Sequence, residues 1–435
     1  MIMYKELKKI NKTFLVICIL GIFLPILYSW LRVIWIVSDS QNTIQMASTW
    51  IYIQIIVEVF TAMIILPLFT YSKENKKKSP TIFISVFVIT IIVFYFLVTF
   101  FPWLFQKMLE NDANLLFTHK ELRIFLIIAM ASSSLKILEK FLISDIIVER
   151  DSIEGIFTIG VNMFIKIFFD LLLISPLFIS NFNLIYLSLS SLVSSIIIIF
   201  VLTLYWIFKY KKNNVNWIIN FSDLKEFYRK GIWPGAEVFV RNLFYFLVTL
   251  SILNQLSGDN AFVIWNYGGW IYWVIIIQLS NSFRYSLLSE RVNNKEANLD
   301  VLTNCYILFD LIIYIFLTPL AIKFILPTII DDEFILKSST QTAWALSISM
   351  FYVSAYGKLT TKFMTENKYI YMFFITLVNS LLISLPVKIF MLAGGQVNYA
   401  QNLIIFELGI FTSFIMGYFL YNFSFTFKRE IKKKI

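Results

Sequence analysis

The residues of this sequence that could do chemistry are charged side chains lodged inside long apolar runs. Arg32 and Glu58 lie in the first two such runs and Lys166 and Asp170 in the fifth. Glu237 and Arg241 lie in the seventh, Asp310 in the ninth, Lys388 in the eleventh and Glu407 in the twelfth. On translocon scales each costs at least ~2.5–3.5 kcal/mol at the centre of a membrane helix, so each calls for a partner or a hydrated cavity. Lys166/Asp170 and Glu237/Arg241 are opposite charges at i,i+4, a spacing at which each pair can close within one helix. A structural ion pair would satisfy that spacing, but apolar residues would do the structural work in lipid at lower cost. So many charges across both halves of the chain point instead to a polar substrate path. Fixed cations (Arg32, Lys166, Arg241, Lys388) can hold a phosphate or carboxylate. Unpaired anions (Glu58, Asp170, Glu237, Asp310, Glu407) can hold an organic cation, and the sequence leaves both choices open.

The composition says what surrounds these groups. The 435 residues are 59% hydrophobic and 15% charged, against roughly 45–50% and about 25% for a soluble protein. The net charge of +10 does not indicate nucleic acid, because the lysines cluster at the ends of apolar runs, where anionic lipid headgroups lie. Cys18 and Cys305 sit inside apolar runs and His119 is the single histidine, so neither a disulfide framework nor a metal motif is read. There is no phosphate-cradling glycine loop and no Ser/His/Asp set, and the loops are too short for a soluble catalytic domain. The expectation is a protein that is not an enzyme and carries no cofactor, any uphill work drawing on an H⁺ or Na⁺ gradient or on a partner.

The runs that must position the charges are each long enough to cross a hydrocarbon core of ~30 Å at 1.5 Å per residue. They predict twelve transmembrane helices, at 13–37, 47–71, 80–105, 122–148, 155–180 and 182–208, then 231–256, 261–283, 301–327, 334–357, 369–393 and 399–424. Lys and Arg concentrate in alternate loops and at both ends, from Lys5–Lys12 to Lys428–Lys434, which predicts that both termini are cytoplasmic. The first apolar run is too long for a cleavable signal peptide. Six spans (1–208), a cytoplasmic amphipathic linker (209–230) and six more spans (231–435) make two lobes. In the linker, Asp223 followed by Glu226 has the spacing of a capping box opening a short helix over Leu224–Lys230. Gly231-Ile232-Trp233-Pro234-Gly235 is expected to break the chain where the seventh span enters, and Pro25 to kink the first.

That seventh-span entry, with Leu256-Ser257-Gly258-Asp259-Asn260-Ala261 beyond it, resembles the start of the second lobe in MATE (multidrug and toxic compound extrusion) transporters. These sit in a superfamily that also holds polysaccharide and lipid-precursor flippases. Phe168–Ile174 is similar to that family's span-five Asn-x-x-x-Asp segment, Phe324–Lys337 to its external loop before span ten, and Leu385-Pro386-Val387 to a recurrent proline segment. The resemblance covers nearly the whole chain and implies an all-α fold of two six-helix lobes. Asp170 matches the span-five Asp, but Lys166 stands at the Asn position, Asn242 at the span-seven Glu position, and Arg32 or Val33 where a span-one Asp is usual. Lys166 beside Asp170 would fill the space of a bound Na⁺. This departure implies coupling by H⁺ through Asp170 or Glu237, or none.

The leading functional expectation is therefore a monomeric MATE-like antiporter of the plasma (inner) membrane, exporting an amphiphilic solute in multidrug efflux. The first alternative is a flippase for an anionic lipid-linked saccharide precursor, favoured by the interior cations. The second is a non-transporting subunit of a membrane complex. Membrane lipids are partners in all three, and nucleic acid in none.

Overall fold

The structure, a computed structural model, describes residues 12–37, 56–69, 79–109, 119–148, 152–175, 184–212, 220–256, 261–270, 272, 277, 284–288, 299–330 and 332–434. It is all-helical as expected: 94% helix, with no strand among the described residues. Helices α1 (Lys12–Val37), α2 (Ile56–Phe69), α3 (Ser79–Leu109), α4 (His119–Val148), α5 (Ser152–Leu173) and α6 (Leu184–Lys212) come first. Helix α7 (Phe221–Phe244) runs through a π-helical stretch, Tyr245–Leu250, into α8 (Ser251–Gln255), followed by α9 (Ala261–Trp270). Then come α10 (Leu299–Leu320), α11 (Leu326–Ile329), α12 (Glu333–Ser347), α13 (Met350–Thr365), α14 (Tyr369–Asn379), α15 (Leu385–Leu392) and α16 (Tyr399–Lys434). Among the described residues, six stretches are long and apolar enough to cross a membrane by length and composition. They are Pro80–Phe100, Ile153–Leu173, Ile185–Lys209, Phe221–Leu253, Tyr369–Leu392 and Tyr399–Phe423. Side chains such as Ile92, Tyr95, Phe164, Phe200, Phe419 and Phe423 stay largely uncovered along them, as they would against acyl chains. This is a multi-pass membrane protein.

The chain divides into two compact units, Val16–Gly231 and Ile232–Ile435 together with Met1–Leu15. In the first unit, α4 packs along both α3 and α6. Its core gathers Val86, Phe125, Phe141, Leu202 and Trp206, all fully buried, and Phe83 stacks on Trp206 at 4.6 Å between centroids. The start of α7 is built into this unit: Phe227 is in the core and the Tyr228 hydroxyl meets Ser85 Oγ at 2.8 Å. Gly231 lies so close to α2 that a Cβ there would run into the carbonyl oxygen of Met63, an approach that only glycine permits.

Two local expectations are overturned at α7. The Asp223/Glu226 capping box does not form: Asn220 caps the helix three residues earlier, its Oδ1 accepting from Ser222 N at 3.0 Å. Glu226 instead pairs with Lys230 one turn on, at 3.3 Å. Nor does Gly231–Gly235 break the chain, because α7 continues through Pro234. A proline inside a helix costs one hydrogen bond and a clash with the carbonyl four residues back, which neighbouring contacts can offset.

The described residues of the second unit include the π-helical stretches Tyr245–Leu250, Ala321–Ile325 and Ser380–Ser384. Two have a cause in the sequence. Pro327 and Pro386 carry no N–H for the carbonyls of Lys323 and Leu382, four residues back, and both carbonyls lie inside the widened turns. A π turn moves the proline ring off that carbonyl. No proline explains Tyr245–Leu250. Among the described residues the first unit has no such stretch.

Candidate substrate and ion pathway

In the first unit, four helices converge on a set of buried charges. Arg32 of α1 places its Nε 3.0 Å from Asp170 Oδ2 of α5. Its Nη2 donates to the Leu187 carbonyl at 2.8 Å and to Ser191 Oγ at 2.7 Å, both on α6. Asp170 Oδ1 accepts from Ser190 Oγ. Lys166, one turn before Asp170, points elsewhere: its Nζ sits 2.5 Å from Glu139 Oε1 on α4, while Glu139 Oε2 accepts from Ser195 at 3.1 Å. The expected Lys166–Asp170 pairing within α5 is thus replaced by two pairs between helices. A pair between helices also fastens them together, and the serines of α6 complete the coordination of both carboxylates.

Sequence reading missed the α4 members of this set. Lys136, Glu139, Lys140 and Asp145 all stand on the fourth span. Lys136 lies within electrostatic reach of Arg32, Lys166 and Glu139, and Lys140 within reach of Glu58. Asp145 accepts from Trp206 Nε1 at 2.8 Å. The signal was available, since a Lys-x-x-Glu-Lys cluster in an apolar run obeys the rule that singled out the other charges. Glu58 itself is exposed and is not part of the buried set.

The second unit is arranged differently. Glu237 and Arg241 do close within α7, Nη1 to Oε1 at 3.2 Å, and Thr376 of α14 donates to the same Oε1 at 3.2 Å. Glu237 is buried while the Arg241 side chain is 56% exposed. Tyr356 lies in the field of Glu237, Arg241 and Arg284. Asn242 is half-buried on the same helix. Lys388 Nζ donates to Ser251 Oγ at 3.2 Å. Glu407 of α16 has both carboxylate oxygens buried and neither in a hydrogen bond. Asp310 is carried by α10, its side chain outside the described residues. Among the described residues no three His, Cys, Asp or Glu side chains gather as a metal site would need. The residues brought together are therefore Arg32 with Asp170 and Lys166 with Glu139 in one unit, and Glu237 with Arg241 in the other.

No protein-family model and no curated protein sequence matches the chain. Solved structures do match in fold. A eukaryotic MATE transporter aligns at TM-score 0.74 and 14% identity, covering 96% of each chain. A multidrug resistance MATE family transporter of the MOP superfamily, in an outward-facing conformation, aligns at 0.71 and 11% over 95% of each. A MOP superfamily transporter from Pyrococcus furiosus, described as having a binding pocket of reverse polarity that suggests a different function, aligns at 0.70 and 12% over 95% of each. The sequence resemblance to MATE proteins is met by the structure: over 95% of its length this chain has the fold of the MATE transporters of the MOP superfamily.

Proposed function

We propose that this chain is a secondary transporter of the plasma membrane, with twelve spans and both termini in the cytoplasm, that exports an amphiphilic organic solute by alternating access. The observation that carries the reading is the combination of a MATE transporter fold over 95% of the chain with ionisable groups inside both units. Charge inside lipid is costly, and the groups not spent on pairing between helices are best explained by a hydrated path that they face. Coupling to H⁺ fits better than coupling to Na⁺. Asp170 is already neutralised by the Arg32 guanidinium, so a Na⁺ ion would have to displace a covalently tethered cation. The reason differs from the sequence-based one, since Arg32 and not Lys166 takes that place. Full-length protein in liposomes, loaded with a fluorescent amphiphilic cation, should drive its export under an imposed pH gradient and not under a Na⁺ gradient. Flux that follows Na⁺ alone would overturn the coupling, and absence of any flux would favour the non-transporting subunit.

One observation favours a second reading, a flippase for an anionic lipid-linked saccharide. The first unit carries four cations, Arg32, Lys136, Lys140 and Lys166, beside Glu58, Glu139, Asp145 and Asp170, so the basic groups that an anionic headgroup would need are present. The fold neighbour from Pyrococcus furiosus, described as having a binding pocket of reverse polarity that suggests a different function, supports this reading. Translocation of a fluorescent polyprenyl-pyrophosphate saccharide in the same vesicles, with no movement of the cation, would select this reading.

A further inference from the structure

The two carboxylates that the sequence offered as proton carriers are already engaged, Asp170 by Arg32 and Ser190, Glu237 by Arg241 and Thr376. Glu407 is not. It is half-buried, and among the described residues it is the one carboxylate with both oxygens buried and neither in a hydrogen bond of good geometry, with no ion pair to a cation. It is the ninth residue of α16, about 12 Å along the helix axis at 1.5 Å per residue, well inside the apolar stretch Tyr399–Phe423.

Its surroundings are those of a neutral acid. Phe406 beside it packs edge-on against Trp265 and Tyr272. The hydroxyl next to Glu407 is that of Ser349, whose proton is committed to the Leu346 carbonyl at 2.7 Å. Ser349 Oγ can therefore accept a hydrogen bond from a carboxylic acid, but cannot donate one to a carboxylate without giving up Leu346. An ionised carboxylate without a donor in an apolar interior costs several kcal/mol, so a proton is the simplest ligand that resolves the site.

The helices and turns packed on α16 bring few charges. The π stretch Ser380–Ser384 and α8 carry none, and α14 contributes Tyr369 and Tyr371. On α13, Tyr352 packs against Phe411 and Tyr356 lies in the Glu237–Arg241–Arg284 field. Lys358 bonds Asn304 and Lys362 bonds Tyr421. On α12 the one charge inside the helix is Lys337, in its second turn, after the N-terminal Glu333. The titratable neighbour whose field reaches Glu407 is Tyr272. We propose that Glu407 is a proton-binding residue of the second unit, protonated at neutral pH and released when a hydrated path or a cationic solute reaches it.

The coupling role of this proton rests on the H⁺-driven reading above, whereas its binding does not, and the test separates them. Infrared titration of the full-length protein in liposomes should show the carbonyl band of a protonated carboxylic acid at neutral pH. That band should be lost in E407Q and kept in D170N and E237Q. A band that survives E407Q, or is absent from the wild type, overturns the assignment. If E407Q does not fold, E407D should keep the band at a shifted position, and an unshifted band overturns it. In the same vesicles E407Q should lose solute flux driven by a pH gradient; retained flux overturns the coupling role. Wild-type vesicles that move no solute, yet show a band that E407Q removes, would defeat the transport reading and leave the proton site standing.

Discussion

In the first unit each buried carboxylate has a defined partner: Lys166 on Glu139, Arg32 and Ser190 on Asp170, Trp206 on Asp145. Its described helices are also regular. In the second unit, Glu237 leans on a half-exposed arginine, Glu407 has no cation and only the committed Ser349 hydroxyl beside it, and turns are widened to π. The contrast teaches where each unit keeps its freedom. Ion pairs between helices hold α1, α4, α5 and α6 in one arrangement, because separating them would leave a charge stranded in lipid. A π turn has weaker, redistributed backbone bonds and is a common site of local rearrangement. The first unit reads as a frame whose charges are spent on holding it together. The second has charge and backbone left over for a ligand.

The strongest blow to this comparison would come at Lys166. Replacing it with Met strands Glu139, whose side chain is 3% exposed, and should cost about 3–5 kcal/mol. In detergent the variant is expected to show a large drop in melting temperature or a loss of monodisperse protein. Adding Glu139→Gln should recover most of that loss, because the amide can still accept from Ser195 and no charge is left unpaired. A K166M protein that melts like the wild type would mean the pair is decorative, and the frame would have to be sought elsewhere.

Next in size is the seat of α7 on α2. Gly231→Ala places a methyl group against the Met63 carbonyl and the Pro67 ring. Backbone cannot yield as a side-chain tip can, so a cost of about 1–3 kcal/mol is expected. Gly160→Ala is the matched control in the same unit: nothing lies within 4 Å of its Cβ, and alanine in mid-helix should be neutral or gain up to ~1 kcal/mol. Thermal melts of the two variants should move in opposite directions or at least differ in sign of effect. Equal shifts would show that the close approach is not what anchors α7.

How far the sequence carries depends on whether a feature is local to one helix. The apolar runs located the described helices because burial in lipid is a property of each run alone. Glu237 with Arg241 was legible as i,i+4, since both ends of the pair ride on one helix. Lys166 with Asp170 obeyed the same spacing and went wrong, because Glu139 and Arg32 reach them from other helices and no periodicity reports a neighbour across space. The prolines 327 and 386 are visible in the sequence, yet the π turns before them are not. The widened turn at Tyr245–Leu250 has no residue that announces it. Glu407 was seen as a charge in a span, but its lack of a donor could be known only once Ser349 and Tyr272 were placed around it.

The smallest expected effect tests the other side of the comparison. Glu237→Gln removes the negative partner of Arg241, and were the pair as closed as Lys166–Glu139 the loss would be comparable. But the Arg241 side chain is 56% exposed and can be solvated where it stands, so the pair is screened and should contribute under about 1 kcal/mol. The glutamine Oε1 still accepts from Thr376, which keeps α7 and α14 joined. The melting temperature of E237Q should therefore barely move, against the large drop at Lys166. If E237Q proved as damaging as K166M, the second unit would hold its charges as tightly as the first. The case for Glu407 as an uncommitted acid among the described residues would then stand without the loose surroundings that the present contrast gives it.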